Sequence, residues 1–125
     1  MSLVLTDEQR IRIVESQDFW LATVRPSLAA HLVPMWAVLV NDVFYMGTGP
    51  NSQKMRNILA HPRAVLALPD TRNVFMVEGM IRRLSESAPD GVMDRFAEKY
   101  DWTFEPGGEW VVVEFIPEKI ITWNS

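Results

Sequence analysis

HLVPMWAVLV, residues 31–40, is apolar on both of its alternating sets: Leu32, Pro34, Trp36, Val38 and Val40 on one, Val33, Met35, Ala37 and Leu39 on the other. A strand with that pattern is covered on both faces. In a chain of 125 residues without strong βαβ alternation, it points to a barrel wall whose outer face is closed by a helix or a second subunit. Pro34 has no N–H to give to a ladder, so a bulge or a locally unpaired stretch is predicted there.

Outward from this strand the chain reads as an antiparallel meander. Asn41-Asp42 is a two-residue turn that tolerates positive φ, and residues 43–47 return as the hairpin partner. Upstream, residues 19–24 (FWLATV) form a strand broken by Pro26 and Ser27. Before that lies an amphipathic helix over 7–16, with Thr6 and Gln9 at capping-box spacing. Downstream, a short helix starts near Ser52, carries Met55, Ile58 and Leu59 on one face and ends at Pro62. Strands over 64–68 and 74–82 are joined by the turn Asp70-Thr71-Arg72-Asn73. Ser87-Ala88-Pro89-Asp90 reads as a helix start, followed by Val92, Phe96 and Tyr100 at intervals of four. The closing segments 109–116 and 119–123 read as two strands interrupted by Pro117. Six or seven strands with three short helices make a mainly β protein, an antiparallel barrel with helical plugs, in one domain over 1–125.

Composition narrows the chemistry. Twelve Lys plus Arg against sixteen Asp plus Glu give a formal charge of -4, which offers no general attraction to nucleic acid or anionic lipid. The absence of cysteine removes disulfides, thiolate metal sites and thiol nucleophiles, and His31 and His61 are too far apart to form a helical ligand pair. No metal site is expected. With no signal-peptide pattern and no apolar run long enough for a bilayer, the expectation is a soluble cytoplasmic protein.

The segment YMGTGPNSQKMRNILAHP, residues 45–62, carries the strongest chemical signal. It sets Gly47, Thr48 and Gly49 at a strand end and Ser52 and Lys54 at a helix start, which is anion-binding architecture: open backbone N–H groups, a helix N-terminus, hydroxyls and a cation. The same residues also serve a plainer purpose, as a cap, a turn and a solvated charge. No Gly-Lys-Ser or Gly-Lys-Thr follows, so this is not a P-loop. The proline-bearing strand could present free backbone groups to the edge of a flat heterocycle resting on Met35 and Trp36, or Trp36 is simply core. Five tryptophans (Trp20, Trp36, Trp102, Trp110 and Trp123) line a pocket or an interface, or fill the barrel. Glu78 and Glu114, in apolar strands, are each either a buried carboxylate or a surface partner of an arginine. No Gly-x-Ser-x-Gly elbow supports a serine nucleophile.

On the blocks LATV (21–24), HLVPMW (31–36), FYMGTGPNSQKMRNILAHP (44–62), VEGMIRRL (77–84) and IPEKIITW (116–123), in that order, the chain resembles the FMN-binding split-barrel superfamily. These are the pyridoxamine 5'-phosphate oxidase-like proteins, which include the deazaflavin F420-binding oxidoreductases. The resemblance implies a six-stranded antiparallel split barrel with about three short helices, forming a homodimer with FMN or F420 at the interface. By matching position, Thr48, Ser52 and Lys54 hold the cofactor phosphate with Gln53 close by. Val33, Pro34, Met35 and Trp36 lie along the ring, His31 opens the same strand, and Trp110 or Trp123 of the partner subunit closes the pocket.

Where vitamin B6 oxidases carry an Arg, a Lys and a second Arg, this chain has His31, Trp36 and Gln53. The family's C-terminal substrate segment has no counterpart. The expectation is therefore an FMN- or F420-dependent oxidoreductase that passes hydride to or from a small organic substrate and is not a true pyridoxamine 5'-phosphate oxidase. No side chain stands out as a catalytic acid or base. The rivals are a non-catalytic flavin or deazaflavin carrier and a haem-binding or interaction split barrel, with His31 as the available imidazole.

Overall fold

The computed structural model describes residues 3–84 and 87–124. Its elements run α1 (Asp7–Glu15), β1 (Phe19–Val24), β2 (Ala30–Met35), β3 (Val38–Val40), β4 (Val43–Thr48), α2 (Gln53–Ala60), β5 (Arg63–Ala67), β6 (Asn73–Arg83), α3 (Val92–Tyr100) and β7 (Val111–Asn124). The strands form one antiparallel sheet in the order β2-β1-β5-β6-β7-β4-β3. β2 and β3 stand at opposite ends of that order, yet only Trp36 and Ala37 separate them in the chain. Two residues cannot cross an open sheet of seven strands at about 4.8 Å spacing. The sheet therefore curls until its edges nearly meet, and the gap between β2 and β3 is the split in the barrel.

The decisive stretch thus becomes two strands, giving seven in place of the six that the resemblance implies. The break does not fall at Pro34, which pairs in register with Trp20. An edge strand tolerates the missing donor, so the predicted bulge is not needed. The break comes at Ala37, whose freed backbone is held by side chains. Its N–H donates to Tyr100 Oη at 3.0 Å, and its carbonyl accepts from Lys99 Nζ at 2.9 Å. The Tyr100 hydroxyl donates to the Gln17 carbonyl at 2.7 Å. Lys99 Nζ also reaches the Ile13 carbonyl at 3.2 Å and lies 4.8 Å from the centre of the Phe19 ring. Burial lowers the Lys99 ammonium to about 8 and, with Asp18's charge adding to it, raises the Tyr100 phenol to about 12.

Coverage of the wall is uneven. Phe44, Met46, Val113 and Phe115 point into the barrel with Phe19, Leu21, Leu66, Phe75 and Ile81. Tyr45, Val112 and Val38 point outward and are covered by Val92 and Phe96 of α3. β3 is thus covered on both sides, as predicted, whereas Leu32 on β2 is 61% exposed and Trp36, just past its end, 46%. Trp20, across from Pro34, is 41% exposed.

The other expectations resolve locally. Thr6 and Gln9 exchange both bonds of the capping box. Asn41 and Asp42 both have positive φ, and Asp42 takes a two-pronged contact from Arg10 at 2.7 and 2.9 Å and the Leu5 N–H at 3.1 Å, which docks α1 on this hairpin. α3 begins at Val92 behind a left-handed Gly91, not at the Ser87–Asp90 signal, and Leu59 is exposed on α2. Glu78 faces solvent, whereas Glu114 is the buried carboxylate, bonded by Tyr45 Oη at 3.0 Å and Arg82 Nε at 2.8 Å.

Pro117 does not divide the last strand. β6 pairs Glu78 with Lys119 and Gly79 with Pro117, so Glu118 is the extra residue of a bulge that absorbs the proline. Among the described residues no helix is long and apolar enough to cross a membrane.

A Cβ on Gly79 would lie 2.2 Å from the Ile116 carbonyl oxygen. Gly79→Ala is therefore expected to cost about 3 kcal/mol, read as a lower urea midpoint. A second expectation concerns pH. Because the folded amine of Lys99 loses its proton near 8 while the unfolded one keeps it to 10.5, the unfolded chain binds more protons between these values and stability rises with pH. Measured against Lys99→Met, the wild-type gain over that window should be about 1 kcal/mol, discounted because the amine keeps some solvent contact. Above pH 10 the raised Tyr100 phenol reverses the slope. A flat difference between the two proteins would refute this account.

Candidate functional site

The end of β4 and the start of α2 form one corner of the site. Ser52 caps α2, its Oγ accepting from the Met55 N–H at 3.2 Å and lying 3.2 Å from Thr48 Oγ1. Thr48 and Ser52 are therefore brought together, and the cap and the candidate anion site are the same atoms. Gln53 is committed elsewhere: its amide donates to Asn57 Oδ1 at 2.7 Å and accepts from Arg56 at 2.7 Å. Asn57, fully buried, donates to Thr23 Oγ1 at 3.0 Å and ties α2 to β1. Lys54 is half-buried, forms no ion pair among the described residues, and has its ammonium pKa lowered by burial. A cation in that condition gains from an anionic partner.

His31 stands near Lys54. Burial, then the charges of Arg25 and Lys54, lower its imidazole pKa. Its Nδ1 is shut off from solvent with no hydrogen-bond partner, so protonating that nitrogen would strand a buried N–H, and the ring is held neutral.

A cavity of about 640 Å³ lies between Lys54 and the strand break, lined by Asp18, Pro34, Met35, Trp36, Gly47, Trp102 and Trp110 as well. Of the residues expected along a ring, Pro34, Met35 and Trp36 line it, whereas Val33 packs against the barrel core. Trp110 reaches the cavity from within its own chain. Trp123 does not: it pairs with Val74 and lines a separate hollow with Thr6, Arg12 and Phe75. Gly47 serves the aromatic wall more than a ligand, since a Cβ there would meet Phe104 at 3.0 Å and Trp102 at 3.1 Å. Next to Gly49 there is open space.

Sequence reading missed Asp18 and the role of Tyr100, whose ring stacks on Trp36 at 4.6 Å and 7°. Asp18 carries no pattern that could have marked it. Tyr100 was visible only as part of a helical period. Among the described residues, no cluster of three or more His, Asp or Glu is placed to hold a metal ion.

A larger hollow of about 860 Å³ between α1, β3 and α3 is lined by Arg10, Asp42, Arg95, Glu98 and Lys99. Its charges are already bonded to one another or to backbone carbonyls, so the smaller cavity, which holds the uncommitted Lys54, is the better candidate site.

Comparison with known proteins agrees with this fold. The chain superimposes on a protein described as an F420 reductase with a TM-score of 0.71 and 22% identity, over 88% of this chain and 94% of that one. The conserved hypothetical protein Rv2991 of Mycobacterium tuberculosis matches with a TM-score of 0.80 and 20% identity, over 98% and 87%. The haem storage protein HutZ of Vibrio cholerae matches with a TM-score of 0.75 and 11% identity, over 95% of each chain. Identities this low establish a shared fold. No curated protein sequence matches the chain. The family profile described as pyridoxamine 5'-phosphate oxidase, however, spans residues 5–124, nearly the whole split barrel with its helix-capped corner and its cavity, and the chain belongs to that family.

Proposed function

We propose that the chain binds FMN or F420 between two copies of itself and acts as an oxidoreductase on a small organic substrate. The observation that carries this reading is Lys54: a half-buried cation without an ion pair, on the first turn of a helix capped by Ser52, lining one cavity with Pro34, Met35 and Trp36. The helix N-terminus and the ammonium suit a phosphate; Thr48 is buried, and its hydroxyl and that of Ser52 stand behind the cavity lining, bonded to each other and to the cap. The apolar wall suits a flat ring. Such a cofactor, when bound, supplies hydride transfer; the residues of this chain bind it, orient it and limit the access of water.

Support for a second copy comes from the outer face of β1 and β2, where Trp20, Leu32 and Pro34 are exposed, with Trp20 and Pro34 facing each other across the ladder, and from the half-exposed Trp36 just beyond β2. Trp123 has a place at the cofactor only through that copy. Vitamin B6 oxidation is not the proposed activity, since Gln53 is bonded within its own helix and Trp36 is stacked on Tyr100.

The haem alternative finds no support in His31. An imidazole that ligates iron through one nitrogen donates the other N–H to an acceptor, and here the buried Nδ1 has none. Nothing in the cavity favours the carrier reading over the enzyme.

The test is a fluorescence titration with FMN, with riboflavin as the phosphate-free control, and with F420 in parallel. Lys54→Ala should weaken FMN binding about tenfold or more, the worth of a charge-assisted contact, and leave riboflavin binding unchanged. Unaltered FMN affinity in that variant would overturn the phosphate anchor. Sedimentation is expected to show a dimer for the wild type and a monomer with weakened flavin binding for Leu32→Asp.

A further inference from the structure

Three tryptophans meet in this cavity. Trp36 and Trp102 have ring centres 6.0 Å apart with planes at 75°, and Trp102 and Trp110 lie 5.4 Å apart at 85°. All three line the cavity. These are edge-to-face contacts, and Trp36 is also stacked on Tyr100; the half-exposed indoles of Trp36 and Trp110 keep π-surface open, and tryptophan is the best of the aromatic residues for an organic cation.

A carboxylate stands beside these indoles. Asp18 lines the same cavity and its side chain forms no ion pair among the described residues. Its charge is felt by Tyr100, the ring stacked on Trp36.

The cavity is also polarised along β2. Lys54 acts on His31 at the start of the strand, whereas Asp18 precedes Phe19, which pairs with Met35 at the strand's end. Those two positions are about 13 Å apart at strand rise. The positive end is accounted for by a cofactor phosphate. At the tryptophan-walled end the Lys99 ammonium is committed to the Ile13 and Ala37 carbonyls, which leaves the Asp18 carboxylate to meet something of opposite charge.

We propose that the corner formed by Trp36, Trp102, Trp110 and Asp18 is the substrate subsite, and that it takes an organic cation: a quaternary ammonium or an N-alkylated aromatic ring. This rests on the flavin reading for the neutralisation of Lys54, while the corner and the carboxylate belong to the chain itself. The protein's charge of -4 favours the approach of such a ligand.

The experiment compares meta-hydroxyphenyl trimethylammonium with its neutral isostere meta-tert-butylphenol, by quenching of tryptophan fluorescence, in the cofactor-free protein and in protein titrated with FMN. The cation should bind about tenfold more tightly than the isostere. Asp18→Asn should reduce that preference severalfold while leaving the neutral compound's affinity unchanged. Trp110→Phe and Trp102→Phe should each weaken the cation; Trp110 is the safer variant because Trp102 also packs on Phe96 and Phe104. Equal affinities for the two compounds in both forms, no saturable binding in either form, or a preference that survives Asp18→Asn would overturn the proposal. Failure of FMN to bind would overturn the flavin reading alone, because the cation preference is read separately in the cofactor-free protein.

Discussion

Ala37 is the residue on which the architecture turns. The two strands that flank it belong to opposite edges of a seven-stranded sheet, so at this point the backbone must leave one ladder before it can enter the other. An N–H and a carbonyl freed in an apolar interior would each cost a few kcal/mol. The last turn of α3 supplies both partners, Tyr100 for the N–H and Lys99 for the carbonyl. The same turn fixes Trp36 by stacking and leads directly into Trp102. Closing the barrel and building the aromatic wall of the cavity are therefore one event.

This coupling explains why parts of the fold were legible in the sequence and others were not. The capping box, the Asn41-Asp42 turn and the strands β1 and β4 are set by neighbours in the chain, and they were read correctly. The two prolines were misread for one reason: their effect depends on what lies across the ladder. Pro34 is harmless because β2 is an edge, and Pro117 because Gly79 lets a bulge form opposite it. Neither partner is local. The doubly apolar pattern of residues 31–40 was half right, since α3 covers β3 while the outer face of β2 stays open.

The site divides along the same line. Thr48, Ser52 and Lys54 fall within seven residues of one another on a strand–loop–helix unit, so their convergence could be read from spacing. Pro34, Met35 and Trp36 converge on Lys54 only because the barrel closes. Val33, expected beside them from the resemblance, packs against the barrel core, as Met35 also does. Asp18 and Trp102 are brought in by chain segments far from the motif; Trp102 was marked only as one of five tryptophans, and no pattern in the sequence announces Asp18.

Pro34 has a further consequence. A free strand edge is a template on which other chains extend a sheet, and an apolar edge next to exposed tryptophans is a hazard of that kind. With no N–H at Pro34, the outermost strand lacks one donor of the row that an added strand would need. Copies of this protein can still meet through the broad apolar face, where no backbone pairing is required. The residue that looked like a flaw in a core strand thus biases self-association toward a closed, countable assembly and away from open-ended growth into fibres.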